Sequence, residues 1–415
     1  MDRAGEVTGG TVRPTPWYPA SEPGGVETEV DALAWAVEEL LSGLGTARDE
    51  VVGVGLAGMA ESGAPMAEGH PLGPVLAWFD GRGEETVARL GDVLGPGLAL
   101  RIGQRVRSVS SVAKLGWLLA DGMPLPQRWL GVPETCLFLL TGAEATEYSL
   151  AARTGAYDVA TRSWIPEVAD VLGVALDVFP AVRPAGEAMG EVSRAAAARF
   201  GLPAGIPVTI AGHDHLAAAE GLGVDDEVRC NSVGTAETIL GRTSRLPDIE
   251  RALGLGLAVT VRPGGQGWVV LASAARAGLV LDRLAAQLGA SPEDLDVLAE
   301  EALAGSGPFE EPDPSPGVAW AGALQTLVDR WAAGAGRMTE MLGPAPRLVV
   351  YGGGSRSRPW LALKARAARP TAVLRVTTPD AVARGAALAA GAAAGWWPSL
   401  AEAPPAPLES VTAGV

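Results

Sequence analysis

Short apolar runs, partly β-branched and closed off by Gly or Pro, recur along the chain. They are Val51-Val52-Gly53-Val54-Gly55-Leu56, Pro207-Val208-Thr209-Ile210-Ala211, Trp268-Val269-Val270-Leu271 and Arg347-Leu348-Val349-Val350-Tyr351. Between them lie longer stretches whose apolar positions follow helical spacing, over 30–44, 193–200, 279–288, 319–342 and 359–368. The runs predict strands and the longer stretches helices; their alternation predicts an α/β protein with sheets covered on both faces. Burial on both faces accounts for the weak apolar/polar alternation within the strands.

The 55 Gly and 32 Pro are spread along the chain and punctuate turns. Two stretches stand apart. Residues 305–316, around Phe309, read as an exposed Pro-rich connection, and the tail 401–415, with Pro404, Pro405 and Pro407, is expected to fray. A length of 415 residues allows two or three domains. The acidic, Gly-containing segment 221–227 is the expected boundary, giving domains at 1–223 and 224–400 and a flexible tail at 401–415. Lys+Arg 32 against Asp+Glu 48 leaves −16, which argues against a nucleic-acid or anionic-membrane partner. Two cysteines, Cys136 and Cys230, make neither a disulfide framework nor a thiolate zinc site. The most apolar stretch, 381–397, is Ala/Gly-rich and carries Arg384, so no membrane span is expected. No apolar leader follows Met1, and a soluble, cytoplasmic protein is the expectation.

Chemistry concentrates in four segments. In 208–219 an apolar strand ends at Gly212 and a helix of small residues begins after Asp214, flanked by His213 and His215. Ligand groups gather at the carboxyl ends of strands in open α/β folds. Asp214 reads as a helix N-cap, as part of a metal site with the two histidines, or as a general base toward a hydroxyl. In 230–240 two strand-like pieces meet at Gly234-Thr235, a tight hairpin that can face a phosphate or be a plain turn. Gly352-Gly353-Gly354-Ser355-Arg356-Ser357 follows a buried strand and opens a helix, either as a turn or as an anion-facing loop. It matches neither a Walker A loop nor a dinucleotide fingerprint. Trp78, Asp80 and Arg82 alternate, as suits a polyhydroxylated ligand or, more plainly, a surface ion pair beside a half-buried Trp.

Taken in order over most of the chain, these segments resemble the FGGY family of carbohydrate kinases. The family's Trp-x-Asp-x-Arg segment is matched by Trp78, Asp80 and Arg82, and its Lys-x-x-Trp by Lys114 to Trp117. Leu140-Thr141-Gly142, Tyr157-Asp158 and Trp164 follow, then Gly212-His213-Asp214 with Ala217-Ala218-Ala219 as the catalytic segment. Ser232 to Thr235, Ser273 to Gly278, Gly352 to Trp360 and Gly385-Ala386-Ala387 complete the series. The resemblance implies an actin-like (ribonuclease H-like) fold of two α/β domains with an interdomain cleft, sugar binding mainly to the first and ATP to the second. It implies Asp214 as the base for a sugar or polyol hydroxyl of ketose or pentulose type attacking the γ-phosphate. Glu61, Trp78, Asp80, Arg82 and His215 would meet the sugar; Gly234, Thr235, Gly352, Gly353, Gly354 and Ser357 would meet the nucleotide. ATP and Mg²⁺ are the implied cofactors, with the metal's ligands in this chain unassigned; a homodimer is compatible with this reading. Family members open with a strand and an Asp-x-Gly-Thr hairpin that helps hold Mg²⁺ and phosphate, whereas Met1 to Val7 resembles the turn just after it. The Gly-Glu-Arg-x-x-Pro stretch and the usual last helix have no counterpart either. The alternative expectation is therefore a kinase-derived binding or regulatory protein that holds a sugar without transferring phosphate.

Overall fold

The structure, a computed structural model, describes residues 1–304 and 315–413. The chain forms two compact units: Met1–Gly223 with Val259–Trp268 and Val382–Pro405, and Val224–Ala258 with Val269–Ala381 and Ala406–Val415.

In the first unit, the strand Pro207–His213 pairs parallel with Val54–Gly58 and antiparallel with Gly190–Glu191. Its register with Val54–Gly58 shifts between Ile210 and Gly212, a bulge just before the strand ends. Leu137, Leu140, Phe200, Val208 and Ile210 form one apolar cluster at this sheet. They come from the strand and from the helices Val132–Thr141 and Arg194–Phe200, the latter capped by Ser193 Oγ accepting from Ala196 N at 3.1 Å. Elsewhere Ala211 and Ala217 meet Ala386 and Ala389 of the helix Ala381–Ala393. Here the Ala and Gly of the helix find their reason: at this contact the backbones come too close for larger side chains. A Cβ on Gly55 would lie 1.8 Å from Ala386 O, and one on Gly385 2.0 Å from Ala217 O. A second sheet of short strands holds Gly63–Ala67 between Val75–Leu76 and Arg128–Gly131.

In the second unit the strands run in the order Trp268–Ala275, Glu237–Thr243, Val228–Val233, Arg347–Tyr351, Ala372–Val376 and Leu408–Ser410. Val228–Val233, Arg347–Tyr351 and Ala372–Val376 are mutually parallel, and Val228–Val233 is buried throughout. The helices Pro292–Ala304, Pro316–Leu342 and Arg358–Ala367 pack together beside the sheet. Lys364 lies inside this packing, 1% exposed, donating from Nζ to Asn231 Oδ1 at 2.6 Å and to Glu237. Trp331 and Trp360 flank the ammonium at 5.1 and 5.2 Å from their ring centroids.

Two expectations are corrected. The second domain is not the contiguous stretch 224–400, because 259–268 and 382–405 return to the first unit. For 382–405 the cause is the close packing of the small-residue helix just described. The tail does not fray where described: Leu408–Ser410 pairs antiparallel with Ala372–Val376, and Arg375 Nη2 meets Glu409 Oε2 at 2.7 Å. A free strand edge offers the tail the backbone partners that its prolines do not block. The connection expected at 305–316 lies outside the described residues over 305–314. Among the described residues, no helix is long and apolar enough to cross a membrane.

Candidate active site

Asp214 is the first residue of the helix Asp214–Gly221, at the carboxyl end of Pro207–His213. Gly212 makes the approach possible. Its φ is +116°, and a Cβ there would sit 2.5 Å from Ser149 Oγ and 2.8 Å from Glu147 Oε2. That space is filled by a hydrogen-bonded relay. His213 N donates to Ser149 Oγ at 2.9 Å, Ser149 Oγ and N donate to Glu147 Oε2 at 2.5 and 2.7 Å, and Gly264 N donates to Glu147 Oε1 at 2.8 Å. The backbone that presents Asp214 is thus braced from two other segments of the same unit.

Asp214 Oδ1 accepts from His215 N at 2.5 Å and lies 3.2 Å from His213 Nε2 and 3.8 Å from His215 Nε2. Burial works against the Asp214 charge, but His213, His215, the His215 N–H and Arg153 outweigh it and hold the carboxyl below its usual range. Burial pushes the His213 imidazole down to about 4, so it is neutral at pH 7. Asp214 is therefore ionised and half-buried, with access for a ligand hydroxyl.

Glu61 lies in the loop after Val54–Gly58, buried, and receives Arg153 Nε at 2.9 Å and Nη2 at 2.5 Å; Arg153 Nη1 donates to Gln104 Oε1 at 2.7 Å. Burial opposes the Glu61 charge, yet Arg153, His213 and Lys114 together hold the carboxyl low. Glu61, Arg153, His213, Asp214 and His215 thus form one electrostatic group at the strand end. Trp78 is half-exposed, with Phe79 edge-on at 5.4 Å. Asp80 is 0% exposed, and both its oxygens are engaged by Arg82 side chain and backbone and by Val26 N. Arg82 is buried too, paired with Glu22 and Glu27 and stacked 4.3 Å over Trp117. The structure places Asp80 and Arg82 in a buried clamp, not in a surface pair, and Trp78 alone of this trio faces solvent. Lys114, 0% exposed, donates to the Val109, Ser108 and Trp78 carbonyls; burial pulls its pKa down to about 8 against Glu61 and Asp80.

In the second unit, Gly234 and the exposed Thr235 form the turn between Val228–Val233 and Glu237–Thr243. The turn rests on the helix Ala277–Leu288, where Gly278 N donates to Gly234 O at 3.1 Å. A Cβ on Gly278 would meet that carbonyl at 2.6 Å, which explains the glycine closing the Ser273 to Gly278 segment. Gly352 has φ +93°, and a Cβ there would lie 2.6 Å from Val233 O. A Cβ on Gly354 would strike Val233 and Trp360, while one on Gly353 would meet only Arg356 Nη2, at 4.0 Å. Gly353 therefore leaves an open backbone face. Ser357 caps the helix Arg358–Ala367, its Oγ accepting from Trp360 N at 3.4 Å.

Sequence reasoning missed Arg153, Gln104, Glu147 and Ser149. Arg153 and Gln104 stand in unremarkable stretches far from Glu61. Glu147 and Ser149 carried one signal, a carboxylate directly ahead of a short helix, which is an N-cap pattern.

The two units, each an α/β sheet structure with the strand ends just described, belong to the actin-like, ribonuclease H-like two-domain class. The family model for the FGGY family of carbohydrate kinases, N-terminal domain, matches residues 1–221, and the chain belongs to that family. It is 28% identical over 190 residues to an L-fuculokinase of Escherichia coli strain K12, covering 43% of this chain and 39% of that protein. The chain thus spans about two fifths of the length of that relative. It is also 28% identical over 371 residues to a xylulose kinase of Streptomyces coelicolor, covering 81% of this chain and 74% of that one. A xylulose kinase structure from Lactobacillus acidophilus superposes with a TM-score of 0.85 at 17% identity, covering 100% of this chain and 90% of the other.

Proposed function

We propose that the chain transfers the γ-phosphoryl group of ATP to a hydroxyl of a small sugar or polyol of ketose or pentulose type, with Asp214 as general base. The carrying observation is the ionised, half-exposed Asp214 carboxylate, held at a strand end by a glycine-dependent brace. The substrate hydroxyl gives its proton to Asp214; its oxygen forms the new P–O bond as the bond from the γ-phosphorus to the β,γ-bridging oxygen breaks, and ADP leaves. Glu61, with Arg153, and His215 and Trp78 supply the polar and aromatic groups for the sugar in the first unit. Asp80 and Arg82 support this wall from within, since their bonds are already made. In the second unit Gly234 and Thr235 face phosphate, and Gly352, Gly353, Gly354 and Ser357 face the adenosine side; the open face at Gly353 fits close backbone approach. Mg²⁺ favours carboxylate and phosphate oxygens and keeps several waters, so it would be carried chiefly by the phosphate oxygens of the nucleotide. When bound, it neutralises charge on the phosphates.

A coupled ADP-release screen over pentuloses, hexuloses and polyols tests the reading. Turnover with at least one, lost by about 10²–10⁴-fold in Asp214→Asn with sugar KM nearly unchanged, is expected. Undiminished kcat in Asp214→Asn would remove that residue from the reaction.

A further inference from the structure

The proton acceptor proposed above is flanked by two imidazoles, and those are two of only three histidines in the chain. Each of His213, Asp214 and His215 offers one ligand atom, all within 4.8 Å of one another. Among the described residues, no other group of three or more His, Cys, Asp or Glu is so placed. The chain geometry creates this set: His213 ends the strand while Asp214 and His215 open the helix, so three consecutive side chains turn about one point. The two rings stand edge-to-face at 86°, with centroids 5.3 Å apart. His213 is 8% exposed, and its Nε2 lies 3.2 Å and that of His215 3.8 Å from Asp214 Oδ1, so both rings turn a nitrogen toward one carboxylate oxygen. Two imidazole nitrogens and one carboxylate oxygen are the ligands of a borderline cation such as Zn²⁺ and not of Mg²⁺, which selects oxygens.

We propose that His213, Asp214 and His215 bind one Zn²⁺-class cation, and that the bound ion withdraws the Asp214 carboxylate from proton transfer. The second half rests on the phosphotransfer reading; the first does not. Three protein ligands leave a coordination position for water or a sugar hydroxyl.

Titration of the full chain with Zn²⁺ by calorimetry, and with Co²⁺ followed by its visible absorption, reads the site directly. One ion per chain is expected, with affinity reduced at least about tenfold in His215→Gln and unchanged in His70→Gln. His215 is partly exposed, so this variant avoids the folding risk of replacing the buried His213. Absence of one-to-one binding, or equal affinity in His215→Gln, overturns the metal site. In the ADP-release assay with excess Mg²⁺ and ATP, Zn²⁺ should suppress turnover and a chelator restore it. Full turnover with the ion bound overturns the blocking role. Zn²⁺ binding in a chain that turns over no sugar sinks the phosphotransfer reading, and the blocking role with it, while sustaining the metal site.

Discussion

Three backbone atoms decide where the Asp214 carboxylate points: His213 N, Ser149 N and Gly264 N all feed one relay ending on Glu147. Ser149→Ala leaves the buried His213 N–H without its acceptor, a loss of about 1–3 kcal/mol. Because the effect passes through the placement of Asp214, kcat should fall by up to about 100-fold while sugar KM moves little; a parallel rise in KM would instead mark a general collapse of the pocket. Gly212→Ala strikes the same relay from the other side, at φ +116° with a Cβ 2.5 Å from Ser149 Oγ. Its kcat should fall with that of Ser149→Ala, and the double variant should lose less than the product of the two, because both disturb one unit. Since Asp214 is held below its usual range, the acid limb expected from it lies below the ordinary aspartate range, and a limb near neutrality would belong to another group. Asp214 was legible in the sequence because it stands at a strand-to-helix junction marked by glycine. Glu147 and Ser149 were not, since they reach it only after the chain has folded back.

At the scale of elements, two close packings carry most of the information. The helix Ala381–Ala393 lies against Val54–Gly58 and Asp214–Gly221 at distances only glycine and alanine allow. Gly385→Ala, with its Cβ 2.0 Å from Ala217 O, should cost about 1–3 kcal/mol in urea unfolding. It should also lower kcat by displacing the helix that begins with Asp214. In the second unit, Lys364→Met leaves Glu237 buried at 0% exposure without its cation, a loss of about 3–5 kcal/mol. Lys364→Met with Glu237→Gln should recover part of that loss; a double variant as unstable as the single would show that the lysine acts through packing alone. The element pattern itself was readable: apolar runs at 207–211 and 347–351 lie within the strands Pro207–His213 and Arg347–Tyr351. The partner of each element was not readable, because apolar periodicity states how deeply a face is buried and is silent about what covers it.

For the molecule as a whole, the buried carboxyls set the response to pH. Burial raises Glu134 to about 7 and Glu147 to about 8. In the folded state both hold their protons more tightly than an unfolded chain does. The stability they contribute is full below the ordinary carboxyl range and is lost as pH rises through 7 to 8. Lys114, lowered to about 8, acts in the opposite sense above that value, and His213, lowered from 6.5 to about 4, offsets part of the loss between those two values. The thermal midpoint should therefore drop between pH 5 and pH 8, and Glu147→Gln, which cannot ionise, should flatten the drop; an unchanged slope in that variant would assign the loss elsewhere. The amino-acid order alone determined the class of fold, the junction bearing Asp214 and the glycine turns at Gly234 and Gly352, because each depends on local backbone geometry and on short-range apolar spacing. Only tertiary structure decided that Asp80 and Arg82 close on each other, that Arg153 reaches Glu61, and that 382–405 belongs with the first unit. Those outcomes depend on which distant groups share a low-dielectric interior, where a charge must find a partner and a helix must find a surface small enough to approach.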